Sequence, residues 1–237
     1  MSEDRPDVPA ELAEAQREHW QRTYGDHPGM YGAEPSGAAV HAAGVFRAAG
    51  AHKVLELGAG HGRDALYLAR EGFSVLATDF SPAGLEQLRA AAAAQGVAER
   101  VTTVVHDVRG PLPLTDASVD AVYAHMLLCM ALSTEEIHAL VGEVHRVLRP
   151  GGTFVYTVRH TGDAHYRVGT GHGDDIWEHG GFAVHFFARD LVDALAGGWH
   201  LAEVHAFEEG GLPRRLWRVT QTLPGEAGSA GAGGVLG

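Results

Sequence analysis

The residues of this sequence that first point to chemistry are three glycines at alternate positions, Gly58, Gly60 and Gly62, which follow an apolar stretch and precede a helical pattern. Glycine lets the backbone turn tightly and leaves no side chain between the main chain and a ligand. The loop is therefore a candidate for holding a nucleotide or a similar molecule. Because a glycine loop by itself is weak evidence, a plain strand-to-helix turn is the alternative.

Three acidic residues are expected to border the same crevice as this loop. Glu56 ends the strand before it, and Asp79 ends the next strand, about twenty residues after the loop, the spacing at which a carboxylate binds ribose hydroxyls. Asp107 ends the third strand. The carboxyl ends of neighbouring parallel strands meet at one edge of a sheet, so the three carboxylates should lie together. Each one alone is also consistent with a helix N-cap or a solvated turn.

The loop departs from the common phosphate-binding patterns. A dinucleotide fingerprint places glycine where this chain has Arg63, and a P-loop needs lysine followed by Ser or Thr after its last glycine. Several carboxylates without a matched lysine suit a ligand with cationic parts better than a polyphosphate.

Two histidines are candidate general bases because histidine ionises near neutral pH. His125 follows the fourth predicted strand and His160 the fifth. Structural histidines are the alternative. The histidines at 160, 165, 172, 179 and 185 match no standard metal-ligand spacing, so no metal site is predicted; their segment is expected to line an acceptor pocket. Cys129 lies in an apolar run and is expected to be an inert core thiol.

Strands that alternate with helices predict parallel βαβ units and an α/β fold. Predicted strands cover 53–57, 74–78, 101–106, 119–124, 153–158, 200–207 and 214–222, and predicted helices cover 10–20, 36–49, 63–70, 82–94, 134–148 and 189–196. No element is assigned between Arg159 and Val184. Residues 1–35 are expected to form an N-terminal helix and lid segment, with Trp20, Tyr24 and Tyr31 closing over the ligand or simply packing on the domain. Residues 36–223 form the main domain, and 224–237 are expected to be disordered.

Composition excludes several functional classes. A formal charge of −12 is the wrong sign for gathering phosphates, so nucleic acid is not an expected partner. One cysteine and an acidic start favour the cytoplasm. The most apolar stretch, 119–132, contains Asp120 and is shorter than the ~20 residues that cross a bilayer, so no membrane span is expected.

Taken together, Glu56 with the glycine loop, Asp79, Asp107, the Val119–Val122 strand and the Leu148–Gly152 turn resemble class I S-adenosylmethionine-dependent methyltransferases. A looser resemblance links the chain to small-molecule methyltransferases of the tellurite-resistance and thiopurine kind. The resemblance implies a Rossmann-like doubly wound sheet of seven strands, in the order 3-2-1-4-5-7-6 with the last strand antiparallel, in a single domain.

The resemblance also implies site roles. The Gly58–Gly62 backbone would lie under the methionine part of S-adenosylmethionine, Asp79 on the ribose, and Asp107 with Val108 at the adenine. The full set of implied cofactor-binding residues is Tyr31, Glu56, Gly58, Ala59, Gly60, Gly62, Arg63, Asp79, Phe80, Ser81, Asp107, Val108 and Ala124.

The function that follows is displacement of the sulfonium methyl by an oxygen, nitrogen or sulfur of a small molecule, which gives S-adenosylhomocysteine. His125 and His160 would be the catalytic candidates. Protein acceptors stay possible. An NAD(P)-dependent oxidoreductase and a non-catalytic S-adenosylmethionine-binding module are the alternatives.

Overall fold

The computed structural model describes residues 10–210 and 214–225, and its centre is a seven-stranded sheet. Five parallel strands are followed by an antiparallel pair, in the order β3-β2-β1-β4-β5-β10-β9. These strands are β1 (Lys53–Leu57), β2 (Ser74–Asp79), β3 (Val101–Val105), β4 (Val119–His125), β5 (Leu148–Arg159), β9 (His200–Glu209) and β10 (Arg214–Thr222). Since β9 and β10 are the sixth and seventh strands of this sheet along the chain, the predicted order is confirmed.

Six α-helices accompany the described strands, and most begin at caps that are visible in the sequence. They are α1 (Ala10–Asp26), α2 (Gly37–Ala48), α3 (Arg63–Arg70), α4 (Pro82–Ala94), α5 (Thr134–Val147) and α6 (Arg189–Leu195), with a 3-10 turn at Ala98–Arg100. Ser36 and Ser81 each accept a backbone N–H of the helix they precede, and Ser133 with Glu136 forms a capping box. Such caps satisfy amides that have no partner within the helix.

Helix α1 is longer than its periodicity predicts. It continues six residues past Trp20, through Tyr24 and Gly25, where turn-forming residues predict a loop. Trp20 and Tyr24 lie one turn apart with ring centroids at 5.7 Å, and Tyr24 is buried. Burial of this aromatic face stabilises the last turn and overrides the low helix propensity of glycine.

The segment without a predicted element forms a small second sheet. Strands β6 (Thr170–Gly171), β7 (Ile176–His179) and β8 (Phe182–His185) pair in an antiparallel order β6-β7-β8. A bridge between Met130 and Val184 attaches β8 to the chain that follows β4. The small sheet thus stands at the same edge of the main sheet as the ends of β4 and β5.

Two apolar layers cover the two faces of the main sheet. One contains Phe154, Tyr156 and side chains of α5 and α6, and the other contains Phe46, Tyr123 and side chains of α2, α3 and α4. The central strands β1, β4 and β5 are therefore buried on both faces, as expected for a doubly wound fold, whereas the edge strand β3 is partly exposed. No helix within the described residues is long and apolar enough to cross a membrane. Residues 226–237 of the predicted disordered tail lie outside the described residues.

Candidate functional site

A cavity of about 620 Å³ opens at the carboxyl ends of the central strands. Helix α1 and the segment after it form one wall, and the small sheet, the end of β9 and the start of β10 form the others. The lining residues are Trp20, Tyr24, Met30, Tyr31, Glu56, Gly58, Ala59, Gly60, His61, Arg63, Asp64, Asp79, Phe80, His125, Met126, Leu127, Met130, Arg159, His165, Trp177, His179, Phe182, Val184, Phe186, Glu209, Gly210 and Arg214. Ligands of doubly wound folds bind in this crevice.

The glycine loop forms the floor of one end of the cavity. Gly58 and Gly60 have φ values of +69° and +56°, in the left-handed region that glycine adopts without strain. A Cβ on Gly58 would lie 2.8 Å from Leu127 Cδ1, and one on Gly60 would overlap the Tyr24 hydroxyl. The loop is therefore closely packed, and a larger residue at either position would be strained and would have to displace Leu127 or Tyr24.

Asp79, the predicted ribose ligand, lies at this floor and is buried. Its two carboxylate oxygens accept the backbone N–H groups of Gly60 and Ser81, each at 2.8 Å. Burial raises the pKa of Asp79 to about 6, although both hydrogen bonds oppose the increase. A ligand hydroxyl that donates to this carboxylate would favour the ionised form.

Glu56 is the second carboxylate at the floor, and its Oε2 is buried without a hydrogen-bond partner among the described residues. Burial raises the pKa of Glu56 well above that of an exposed glutamate, and the nearby Asp64 and Asp79 charges act in the same direction. A buried carboxylate without a partner is costly unless a cation or a donor reaches it. Glu56 is thus suited to the cationic part of a ligand.

Asp64 links helix α3 to the centre of the sheet. Its carboxylate accepts hydrogen bonds from the Ser36 amide and hydroxyl, at 2.8 and 2.7 Å, and from the Tyr123 hydroxyl at 3.1 Å. Arg63 adds two more, at 3.0 and 3.2 Å. Burial by itself would raise the pKa of Asp64. The pKa is nevertheless lowered by the charges of His125 and Arg63 and by these hydrogen bonds. The network fixes Arg63 at the cavity wall.

His125, the first catalytic candidate, ends β4 and lines the cavity. Its Nδ1 lies 2.9 Å from Thr157 Oγ1, and its Nε2 lies 3.2 Å from Glu209 Oε2. The next residue, Met126, has a φ of +55°, which is rare for a side chain of its size, and its N–H donates to Thr157 Oγ1 at 2.9 Å. The chain therefore turns sharply after β4. The two ring nitrogens of His125 are held by Thr157 and Glu209.

A second group of lining residues combines arginines with aromatic rings. Arg159 donates to Asp163 and lies 5.0 Å from the ring centroid of Phe186. Arg214 contacts Met126 Sδ at 3.9 Å. Trp20 and Phe182 pack edge to face with ring centroids 5.2 Å apart. This wall is suited to a flat ligand that carries polar groups.

The structure brings most of the predicted site residues together. Tyr31, Glu56, Gly58, Ala59, Gly60, Arg63, Asp79, Phe80 and His125 line the cavity. Among the others, Gly62 packs on Leu88, Ser81 caps α4, and Ala124 is fully buried within β4. Asp107 contacts Arg109, and Val108 packs on the core; neither lines the cavity, and their role at the adenine stays a prediction.

His160 is not among the residues that line the cavity. Its ring stacks on Trp217 with centroids 4.7 Å apart, and its Nδ1 accepts the Gly162 N–H. Successive side chains of a strand point to opposite faces, so Arg159 faces the cavity and His160 faces away. These contacts are structural, and the catalytic role of His160 stays a prediction.

Several lining residues were not predicted. Asp64 lies two residues after the last glycine of the loop, and this closeness is a signal that the sequence offers. Glu209 and Arg214 flank the tip of the β9–β10 hairpin, and no local pattern marks them because their position depends on how the hairpin packs.

The histidine-rich segment makes separate contacts instead of one cluster. His172 lies 2.9 Å from Glu178, His165 lies 3.5 Å from Asp163, and His185 Nδ1 lies 2.8 Å from the Leu132 carbonyl. Across residues 10–210 and 214–225 no group of three or more His, Cys, Asp or Glu side chains is arranged to hold a metal ion. That no metal is used stays a prediction. Cys129 is buried, and burial raises the pKa of its thiol to about 11.

The central part of the chain is similar in sequence to known proteins. Residues 54–152 match the family described as a methyltransferase domain. Phosphoethanolamine N-methyltransferase 1 of Triticum aestivum is 38% identical over 100 residues, which are 42% of this chain and 20% of that enzyme. The chain spans less than half the length of the first curated relatives that it matches.

Solved structures match over nearly the whole chain. The 1,6-didemethyltoxoflavin-N1-methyltransferase of Burkholderia thailandensis, crystallised with 1,6-didemethyltoxoflavin and S-adenosylhomocysteine, has a TM-score of 0.69 and 21% identity, over 91% of this chain and 90% of that one. The CcbJ methyltransferase of Streptomyces caelestis has a TM-score of 0.65 and 25% identity, over 86% and 96%. The predicted resemblance is confirmed: residues 54–152 match the methyltransferase-domain family, and the chain has the fold of the class I S-adenosylmethionine-dependent methyltransferases.

Proposed function

We propose that this protein transfers the methyl group of S-adenosylmethionine to an oxygen, nitrogen or sulfur atom of a small molecule. The observation that carries the proposal is a cavity whose lining contains two chemically different groups of residues. One group is the glycine loop with Glu56 and Asp79, and the other consists of arginines and aromatic rings. A transfer reaction needs two ligands side by side, and this cavity offers each of them a distinct set of partners.

The loop end fits the adenosyl-sulfonium ligand. Asp79 would accept the ribose hydroxyls, the Gly58–Gly60 backbone would face the methionine portion, and the unpartnered Glu56 Oε2 would meet its ammonium group. When bound, S-adenosylmethionine supplies a methyl group on a positively charged sulfur, a good leaving group. The protein then has to align the acceptor with the carbon–sulfur bond and exclude water.

Helix α1 is the element that would exclude water. Trp20 and Tyr24 line the cavity, the Tyr24 hydroxyl lies against Gly60, and Gln21 Oε1 accepts the Ser81 hydroxyl at 2.6 Å. We propose that α1 and the segment to Pro35 form a lid that opens for ligand exchange. Lids of this kind commonly control ligand release.

A small acceptor is supported by the cavity and by the relatives. A space of about 620 Å³ is in the range of small-molecule sites. The wheat relative is named for phosphoethanolamine, and the Burkholderia enzyme was crystallised with 1,6-didemethyltoxoflavin. The net charge of −12 argues against nucleic-acid acceptors, and the acidic, cysteine-poor sequence is the reason to propose a cytoplasmic location.

Calorimetry with S-adenosylmethionine, S-adenosylhomocysteine and NAD tests the proposal. We expect micromolar or tighter binding of the two sulfur compounds and none of NAD, and then release of S-adenosylhomocysteine when a collection of small acceptors is screened. Binding of NAD alone would support the oxidoreductase alternative. Cofactor binding without turnover on any acceptor would support a binding module.

A further inference from the structure

The hydrogen bonds around His125 decide which of its nitrogens carries the hydrogen. Thr157 Oγ1 accepts the Met126 N–H, so its own hydrogen is available to donate to His125 Nδ1. The Nε2 atom faces the Glu209 carboxylate, which can only accept. The neutral ring therefore carries its hydrogen on Nε2 and donates it to Glu209.

In this arrangement His125 has no free lone pair for a substrate proton. Its Nδ1 lone pair is used by Thr157, and its Nε2 is a donor. The group that remains open to the cavity is the Glu209 carboxylate, whose side chain is 26% exposed. Its Oε2 contacts His125, and Oε1 makes no hydrogen bond to the described residues. The residue that can accept a substrate proton in this arrangement is therefore Glu209 and not His125.

The charges that face Glu209 keep it ionised. The His125 hydrogen bond is the largest influence that lowers the pKa of Glu209, and the Arg63 and Arg214 charges add to it against the effect of burial. These groups come from β4, α3 and β10. At neutral pH Glu209 is accordingly an anionic hydrogen-bond acceptor, but a weak base.

We propose that Glu209 binds an N–H or O–H of the acceptor, that His125 is the residue that positions Glu209, and that the acceptor is aromatic or heteroaromatic. The inference rests on the proposed methyl transfer and specifies its acceptor side. Trp20, Trp177 and Phe182 supply the flat apolar wall for such a ring.

The proposed step conserves atoms and charge. A lone pair of the nucleophile forms the new bond to the methyl carbon while the carbon–sulfur bond breaks and its electron pair stays on sulfur. The proton that Glu209 Oε1 then accepts lies on the oxygen of a phenol-type acceptor, or on the second ring nitrogen of a heteroaromatic acceptor such as benzimidazole. Methylation places a positive charge on the acceptor and acidifies this proton, so a weak base suffices to take it; the bonding pair stays on the acceptor, which becomes neutral.

A pair of probes that differ only in the hydrogen tests the inference. Benzimidazole carries a ring N–H, and 1-methylbenzimidazole has a methyl group in its place. Calorimetry on the full chain saturated with S-adenosylhomocysteine should show benzimidazole binding at least about tenfold more tightly, as expected for one hydrogen bond to a carboxylate. In Glu209→Gln the amide oxygen takes the His125 hydrogen and the NH₂ group faces the probe, so the preference should disappear.

Glu208→Gln is the matched control, because Glu208 is the neighbouring residue of β9 but pairs with Arg215 and does not line the cavity. It should keep the wild-type preference. For the positioning role, ¹⁵N shifts should report the hydrogen of His125 on Nε2, and His125→Phe should reduce the preference without changing affinity for S-adenosylhomocysteine.

Equal or absent binding of the two probes by protein that binds S-adenosylhomocysteine would overturn the inference and leave the proposed function intact. A hydrogen on His125 Nδ1, or a preference that survives Glu209→Gln, would overturn it as well. Failure to bind S-adenosylhomocysteine would instead overturn the proposed function and, with it, this inference.

Discussion

The Asp79 carboxylate at the end of β2 accepts the Gly60 N–H of the glycine loop at 2.8 Å. This contact joins the two features on which the proposed cofactor site depends, an acidic strand end and a bare backbone. It holds the loop in its left-handed conformation and leaves further lone pairs of the carboxylate available to a ligand.

Replacing Asp79 by alanine tests this site directly. Asp79→Ala should weaken binding of S-adenosylmethionine by ~2–4 kcal/mol, because two charge-assisted hydrogen bonds to the ribose are lost. Glu86→Ala on the exposed face of α4 is the control and should leave affinity unchanged. Titration calorimetry gives both values. An unaltered affinity for Asp79→Ala would place the ribose elsewhere.

The pH dependence of cofactor binding follows from the raised pKa of Asp79, about 6. A ribose hydroxyl binds the ionised carboxylate better, so affinity should be constant above pH 7 and fall as pH decreases through 6. The stability of the protein without ligand depends on pH in the opposite direction. The native state binds the Asp79 proton more tightly than the unfolded state, so the contribution of Asp79 to stability decreases as pH rises from about 4 to 6. Calorimetry between pH 5 and 8 should show proton release on binding near pH 6. Affinity that is independent of pH would contradict the assignment.

The closeness of the glycine loop to α4 predicts different costs for two alanine substitutions. Gly62 and Gly72 have similar φ values, +89° and +99°, so alanine is strained at both. At Gly62 the new Cβ also overlaps Leu88, whereas nothing lies within 4 Å at Gly72. Gly72→Ala should cost about 1–2 kcal/mol of unfolding free energy, and Gly62→Ala about 1–3 kcal/mol more. Urea denaturation measures both, and equal costs would show that Leu88 moves away freely.

The buried Asp64 network should contribute strongly to stability. The Asp64 carboxylate accepts hydrogen bonds from Ser36, Tyr123 and Arg63. In Asp64→Asn one of the two accepting oxygens becomes an NH₂ donor, so the substitution should lower the free energy of unfolding by about 3 kcal/mol or more. Because the pKa of Asp64 is lowered in the folded protein, this stability is present above the unfolded pKa, near 3.8, and is lost as pH falls through the folded value. Asp190→Asn, on the exposed face of α6, is the control. Equal denaturation midpoints would argue against the network.

The proposed lid predicts an effect on release rates. Trp20→Ala removes the ring that packs on Tyr24 and Phe182, so S-adenosylhomocysteine should dissociate at least about tenfold faster. Trp199→Phe, in the packing between α5 and the sheet, is the comparison and should keep the release rate. Stopped-flow fluorescence follows the release. Equal rates in the two variants would show that α1 does not retain the ligand.

The sequence by itself determined the parallel sheet, the glycine loop and the acidic residues near it, because strand patterns, helix caps and turns are written in adjacent residues. The strand order followed from the family resemblance. Ser36, Ser81 and Ser133 cap the helices that they precede. Only the tertiary structure decided the length of α1, the small sheet of β6–β8 and the separation of His125 from His160. Glu209 reaches His125 because the end of β9 packs beside the end of β4, and a side-chain contact between segments so far apart in the chain is not written in adjacent residues.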